Sequence, residues 1–488
     1  MSAAQLPVLG ETLRQIAKLR ANEENVRPRD LSQLVLHDPF MALRVLRFLK
    51  DGQNARAMTE ITTIEHAIMM LGVSPFFRLF TNWRSLDADL ASKKAAMQGL
   101  IAVVGRARHA ALHAREWARL RHDIESDEVV IATLLHDMAE MLLWYFAPSQ
   151  AEDIEARLAA DASLRSVDVQ NAVLGFGLNE LQIALATAWN LPPLITSLMD
   201  DDRANRPRAR NVMLAVNLTR HASNGWEDAA LPADIEAIQR IVGRPLLEVM
   251  QRVFHTALEA VGDHEWYGDR APAMWLPPFP MDLDSGATMP GPRLSASVYD
   301  RVRAMLASDA DEDLVNWAAS GTPNPDGPSP TLAALVALVF HGLYKGVGLA
   351  RQIFYSIDES GTLARARYLS GVRDSGKLAR HTLPLGMANP LTRKLAEEGM
   401  VWWRGIADEV QLTDLSREWR IAAAGDGFFA GMIRTADGRG AVLYGDANQG
   451  SMQLDEERFQ QFREICALLS VKIAGPIPEP VEPSEPAA

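Results

Sequence analysis

The chain has 488 residues and only one cysteine, Cys466, so no disulfide can form within it. A reducing compartment suits that usage best. Cys466 lies in "FREICALLSVKIA", where Phe459, Phe462, Cys466 and Leu469 recur at helical spacing, which predicts a core position rather than a nucleophile. Glycine-rich phosphate loops and zinc-type cysteine pairs are missing as well. The N-terminus, "MSAAQLPVLGETL", lacks a basic region followed by an apolar one, so no signal peptide is expected. The longest apolar run, Leu332 to Phe340, is far short of the ~20 residues that span a bilayer. We therefore expect a cytoplasmic protein with no membrane contact. Basic residues are in deficit too: 49 Lys and Arg against 62 Asp and Glu leave a net charge of -13. That field repels phosphate backbones and anionic lipid, and excludes bulk nucleic-acid binding.

What remains is ordinary for soluble globular protein, with 48% hydrophobic and 23% charged residues, and the length suggests two to four domains. From Leu6 to about Gly262 the pattern is helical with punctuation. Asp38-Pro39 reads as an N-cap followed by proline in the first turn, opening "DPFMALRVLRFL". Thr62 and Glu65 are spaced as a capping box, and Gly72 stands where a left-handed C-terminal residue is expected. Arg106 to His122, "RARHAALHAREWARLRH", carries five arginines and three histidines and reads as a solvated basic helix face. Ser126, with Asp127 and Glu128 behind it, caps a longer helix through "VVIATLLHDMAEMLLWYF", with His136 and Asp137 near its middle.

Between Asp263 and Ser297 six prolines and no sustained period predict a linker or irregular strap. Beyond it the pattern becomes mixed. A helix around Ser297 to Ser320 and another from Thr331 to about Lys345 precede short alternating segments. Ile353, Tyr355 and Ile357 alternate before an acidic turn with Gly361, and two apolar strands flank the hairpin signal Asp437-Gly438. A helix from Asp455 to Ala474 closes this region. The tail "GPIPEPVEPSEPAA" is acidic and proline-rich, and reads as disordered.

The His-Asp pair in "ATLLHDMAEMLLWYF" raises the question of chemistry, because two polar groups interrupt an apolar stretch. A metal that activates water needs several inward-facing nitrogens and carboxylates with an open position. Upstream, His109 and His113 share a helix face at i, i+4 spacing. The order of a helical His, a His-Asp pair and a later acidic residue resembles the HD phosphohydrolase pattern, with His109, His136 and Asp137 in its first three places. The closer likeness is to the HDOD family, the HD-related output domains of bacterial signalling proteins, from Leu6 to about Gly225. It is carried by "LPVL", "LVLHDPFMALRVLRFL", "ITTIEHAIMMLG", "LLHDMAEMLL" and "WNLP". Two departures from the active HD pattern matter. Ala139-Glu140 stands where active relatives often have Gly-Lys, and Asn217 in "MLAVNLTRH" stands where the last acidic ligand would fall. An amide in place of a carboxylate leaves about one positive charge of a divalent ion uncompensated. Glu140, on the face of His136, could supply the missing carboxylate, yet it would also repel a phosphate substrate.

The region from about Ser297 to Ala474 resembles a GAF-like sensory domain in "VGLARQIFYSIDESGTLARARYLSG" and "FFAGMIRTADGRGAVLYGDAN". GAF domains cup small ligands against one face of an antiparallel sheet or dimerise through flanking helices. Together these resemblances imply a multidomain chain: an all-α HDOD (HD-like) domain over 1–262, a proline-rich linker or strap over 263–296, an α/β GAF-like domain with an antiparallel sheet over 297–474, and a tail over 475–488. The expected function is a non-enzymatic signal-transduction regulator. Its HDOD module binds a partner protein or a nucleotide, and its GAF-like module senses a small ligand or forms a homodimer. No catalytic residue and no cofactor are expected on this reading. The alternative is a metal-dependent HD-type phosphohydrolase or phosphodiesterase. It would hold a divalent metal on His109, His136 and Asp137, with Glu140 or Asn217 completing the set.

Overall fold

Local chemistry decides where the first helices begin and end. The structure, a computed structural model, describes residues 6–51, 63–123, 126–161, 164–191, 193–198, 206–226, 228–261, 263–267, 296–308, 332–371, 381–386, 389–408, 410, 416–422, 427–433, 440–447 and 454–474. Helices α1 (Gly10–Arg20), α2 (Pro28–Val35), α3 (Pro39–Asp51), α4 (Ile64–Leu71), α5 (Val73–Phe80) and α6 (Leu86–Asp89) come first. Asp38 caps α3 as expected, its Oδ1 accepting from the N–H groups of Phe40 at 2.9 Å and Met41 at 3.1 Å. The cap of α4 falls one residue later than the capping-box spacing predicts: the Thr63 side chain accepts from the His66 N–H, and Thr62 lies outside the described residues. Gly72 ends α4 at φ 87, the positive value its position called for.

A long helix, α7 (Lys94–Leu120), runs through the middle of this half. Around it lie α8 (Ser126–Leu135), α9 (Met138–Phe146), α10 (Pro148–Ala160), α11 (Ser166–Leu174), α12 (Leu178–Ala188), α13 (Pro193–Leu198), α14 (Pro207–Ala222), α15 (Leu231–Val242) and α16 (Leu246–Val261). α8, α9, α14 and α16 all pack on α7. A Cβ at Gly99 would stand 2.4 Å from the Trp144 indole, so only glycine lets α9 approach α7 this closely. The segment Ser126–Phe146 is the one described stretch long and apolar enough to cross a membrane, and 72% of its most apolar window is buried inside the protein.

Three expectations change here. The segment from Ser126 is two helices, not one, because the chain turns at His136 and Asp137. Only part of the basic run is a solvated face. Arg106 meets Asp137 and Glu140, Arg108 meets Asp263 and Arg115 meets Glu259, while Arg119 stays exposed beside Glu116 of its own helix. Tertiary carboxylates neutralise charges that periodicity alone assigned to water. Finally, the start of the expected linker is packed: α17 (His264–Tyr267) stacks Trp266 on His37 with centroids 4.4 Å apart, and the Tyr267 hydroxyl donates to the His37 carbonyl at 2.7 Å. The chain divides into Met1–Met274 and Trp275–Ala488, a division that falls inside the expected linker or strap over 263–296.

The second unit holds α18 (Ala296–Ala307) and α19 (Leu332–Gly342), the latter continuing into a π-helical turn over Leu343–Val347. Strands β1 (Arg351–Ile357), β2 (Leu363–Ser370) and β3 (Thr382–Pro384) follow, then α20 (Pro390–Glu398) and β4 (Met400–Trp403). Last come α21 (Arg417–Ala422), β5 (Phe428–Ile433), β6 (Ala441–Asp446) and α22 (Glu456–Ala474). The strands form an antiparallel six-stranded sheet in the order β3-β2-β1-β6-β5-β4. Ile433 pairs with Ala441 across the predicted hairpin, whose tip at Asp437-Gly438 lies outside the described residues, as does the tail from 475. Gly361 adopts φ 67 in the acidic turn, where the Asp358 carboxylate accepts from the Thr362 N–H at 3.2 Å.

One face of the sheet packs on α22, with Phe429 against Phe459 and Phe462. Cys466 is buried there, and burial pushes its thiol pKa up, as a core position requires. Leu335, Leu338 and Val339 of α19 and Phe462 and Leu469 of α22 are likewise buried within the unit. The other face carries a buried polar group. Arg351 donates to Asp446 (Nε to Oδ2, 2.8 Å) and to the Tyr444 hydroxyl at 3.2 Å. Nearby, His381 Nε2 lies 2.9 Å from the Glu418 carbonyl and must donate to it, so Nδ1 accepts from the Tyr355 hydroxyl at 3.1 Å. Burial lowers the His381 pKa, consistent with that neutral ring.

Candidate functional site

The turn at His136 and Asp137 is held open by a residue that sequence reasoning missed. Gln182, buried in α12, donates from Nε2 to the Leu135 carbonyl at 2.9 Å and accepts at Oε1 from the Ala139 N–H at 2.8 Å. One amide thus satisfies the last turn of α8 and the first turn of α9, the groups a helix break exposes. Only a glutamine among apolar neighbours in "LQIALATAW" hinted at it. Gln182→Leu is expected to lower stability by about 2–4 kcal/mol, because two buried backbone groups lose their partners. Urea unfolding checks the size, and fast hydrogen exchange at Ala139 checks the place.

Asp137 is almost fully buried, yet charges surround it. Its Oδ2 accepts from Arg106 Nη2 at 3.3 Å, its Oδ1 from Arg220 Nη2 at 3.1 Å, and His136 Nδ1 stands 3.2 Å from Oδ1. Burial by itself would raise this carboxyl. Arg220, the hydrogen bond from His136, and Arg106 overcome that and hold it well below the usual carboxylate range. Glu140 faces the same arginines: its Oε2 is 2.6 Å from Arg106 Nη2 and 3.9 Å from Arg220 Nη2. Burial would depress the Arg106 guanidinium, but Glu140 and Asp137 push its pKa up instead. Two carboxylates therefore oppose two guanidiniums, with no net charge.

His109 lies in α7 with its Nε2 2.9 Å from the Nε2 of buried His113, so one ring must donate to the other. The Nδ1 of His113 is buried without a hydrogen-bond partner. A bare nitrogen there costs less than an orphaned N–H. Accounting therefore puts the proton on His113 Nε2, and the lone pair of His109 Nε2 accepts it. Burial and the neighbouring His109 lower the His113 pKa well below the ordinary value, which keeps the pair neutral. Asn217 is half-buried in α14, one turn before Arg220, and among the described hydrogen bonds it is Arg220 that reaches Asp137.

The structure thus brings Asp137 and Glu140 to the same two arginines, sets His136 beside Asp137, and sets His109 against His113. Among the described residues no group of three or more His, Cys, Asp or Glu side chains is placed to hold a metal ion. The carboxylates of Asp137 and Glu140 are engaged by Arg106 and Arg220, so the residues present do not fit that ion. The arginines had a visible signal, since both stand in quoted motifs, but Arg106 reads as a surface charge and Arg220 as a neighbour of Asn217.

Several solved structures resemble the chain. The MmoQ response regulator of Methylococcus capsulatus str. Bath is 19% identical over 51% of this chain and 97% of its own, with a TM-score of 0.38. A virulence factor of Campylobacter jejuni subsp. jejuni is 19% identical over 52% of this chain and 95% of its own, with a TM-score of 0.39. An HDOD domain protein of unknown function from Geobacter sulfurreducens is 18% identical over 53% of this chain and 93% of its own, with a TM-score of 0.30. No curated protein matches the chain. Residues 6–203 match the family model of the HDOD domain, and this helical N-terminal segment is an HDOD domain.

Proposed function

We propose that the chain is a non-enzymatic signal-transduction protein of the reducing cytoplasm. Its HDOD domain docks a protein partner or a nucleotide, and its C-terminal unit is a GAF-like sensor of a small ligand. The observation that carries this reading is the neutral square of Asp137, Glu140, Arg106 and Arg220. Hydrolysis by a metal-bound water needs carboxylates and imidazoles free to coordinate, with one position open to water. Here both carboxylates are already neutralised. Sensing is favoured over dimerisation for the second unit because Leu335, Leu338 and Val339 of α19 and Phe462 and Leu469 of α22 are buried in its own core, with Leu332 and Phe459 half-buried.

Purified chain supplied with Mn²⁺, Fe²⁺, Zn²⁺ or Mg²⁺ is expected to leave cyclic dinucleotides and a generic phosphodiester uncleaved. Metal-dependent turnover that disappears in Asp137→Ala would overturn the reading and restore the phosphohydrolase alternative. Affinity capture from the native host, followed by mass spectrometry, then identifies the partner.

A further inference from the structure

We propose that the cavity between the end of α7 and the start of α14 binds the phosphate groups of a small phosphorylated ligand. The inference rests on the reading of this helical unit as a binding module, but the two fail separately. Phosphodiester turnover judges that reading, and pyrophosphate binding by arginine variants judges this site.

The cavity holds about 580 Å³, within the range of small-ligand sites, and Arg121, His122, Asp123, Arg206 and Arg208 stand on its wall. It lies beside Glu128 in the first turn of α8, at the other end of that helix from His136. Arg208 is anchored: its Nε and Nη2 donate to Asp123 at 2.9 and 2.6 Å, and its Nη1 to Glu128 at 3.1 Å. Arg121 faces the same Asp123 at 3.7 Å and donates from Nη1 to the Pro207 carbonyl at 2.9 Å. Two guanidiniums therefore share one carboxylate. Burial lowers the Arg121 pKa more than Asp123 raises it, and Arg208 lowers it further, so this cation lacks a full counter-charge. Arg206 is exposed, and its side chain makes no hydrogen bond or ion pair among the described residues. Three arginines against Asp123 and Glu128 leave one positive charge in the described surroundings of the cavity. Asp200, Asp201 and Asp202, between Leu198 and Arg206 in the sequence, lie outside the described residues.

The backbone adds to this charge. Arg206, the N-cap of α14, offers no side-chain cap, so the positive end of that helix dipole is left to an anion. On the α7 side the chain turns through His122 at φ 55, and the Asp123 N–H returns to the Ala118 carbonyl at 2.9 Å. Glycine is the usual residue for such a turn, and a histidine there sets an imidazole on the cavity wall instead. Guanidinium forks match the tetrahedral oxygens of phosphate. The net charge of -13 repels a long polyanion, whereas a small anion inside the cavity lies within the ~8 Å over which charges act at physiological salt and meets the arginines first.

The test titrates the full chain with pyrophosphate and with ADP by calorimetry at physiological salt. The intact chain is expected to bind one probe molecule with a Kd below about 1 mM. Arg206→Ala removes an exposed side chain and leaves the fold intact, and Arg121→Met keeps most of the buried stem. Each is expected to weaken binding at least about tenfold, as the loss of one charge-assisted contact requires. Arg29→Ala, which removes an exposed arginine of α2, is expected to change it less than about twofold. Tighter binding of ADP names a nucleotide as the source of the phosphates and tighter binding of pyrophosphate a free polyphosphate, and both support the site. Binding of neither probe, or binding that Arg206→Ala leaves unchanged, overturns the proposal. So does an equal loss in Arg29→Ala, the mark of a diffuse charge effect. Should Arg121→Met fail to fold, Arg206→Ala decides alone.

Discussion

Asp446→Ala is expected to destabilise the C-terminal unit by about 3–5 kcal/mol, because it leaves a buried guanidinium without its counter-ion. Asp446 is 1% exposed and Arg351 9%, and they face each other across β1 and β6 in register. The carboxylate accepts from Arg351 and also from the Tyr444 hydroxyl at 2.6 Å, so one substitution removes an acceptor from the guanidinium and from the hydroxyl together. Burial would lower the Arg351 pKa, but Tyr444 and Asp446 push it up, and the charge cannot be shed when the partner goes. Arg351→Met/Asp446→Leu removes both charges and should recover most of the loss, since a buried pair is worth little more than apolar packing of its own shape. Hydrogen exchange at the β1 and β6 amides locates the effect, and urea unfolding gives its size. A single variant as stable as the parent would show that water reaches Arg351.

Asp38→Ala is expected to cost on the order of 4 kcal/mol in the HDOD domain, from four donors that lose one acceptor group together. Besides capping α3, the carboxylate accepts from the Leu9 N–H at 2.8 Å and the Thr12 hydroxyl at 2.7 Å, tying the start of α1 to the start of α3. The side chain is fully buried, so water cannot replace it without opening the helix pair. Asp38→Asn keeps one acceptor oxygen and should cost about half as much. Thermal melting of the two variants gives the order, and a loss in Asp38→Ala no larger than that of a surface cap, about 1 kcal/mol, would mean the α1 contacts contribute nothing.

How far these sites were legible depended on how local their causes are. Asp38-Pro39, Gly72 and the Asp358 to Gly361 turn were readable because a cap or a positive φ is decided by neighbours within a few residues. The paired strands around Asp437-Gly438 and the core role of Cys466 followed from alternation and helical period, which report which face of an element is buried. The His-Asp pair stood out for a related reason, as polar groups in an apolar run. None of this says what a buried polar group meets. The break between α8 and α9 depends on Gln182, and Asp137 is balanced by Arg106 and Arg220, all contributed by other helices. The same limit turned part of the basic run from a solvated face into one paired to Glu259, Asp263 and Asp137.

By itself the sequence determined most of the helical and strand segments and several of their caps, because those depend on backbone sterics and on periodic burial. Which charges neutralise Asp137 and Glu140, and which proton engages His109, was decided only by tertiary structure. Hydrogen bonds and ion pairs are short-range and directional, so their partners exist only once packing has brought distant helices within about 3 Å.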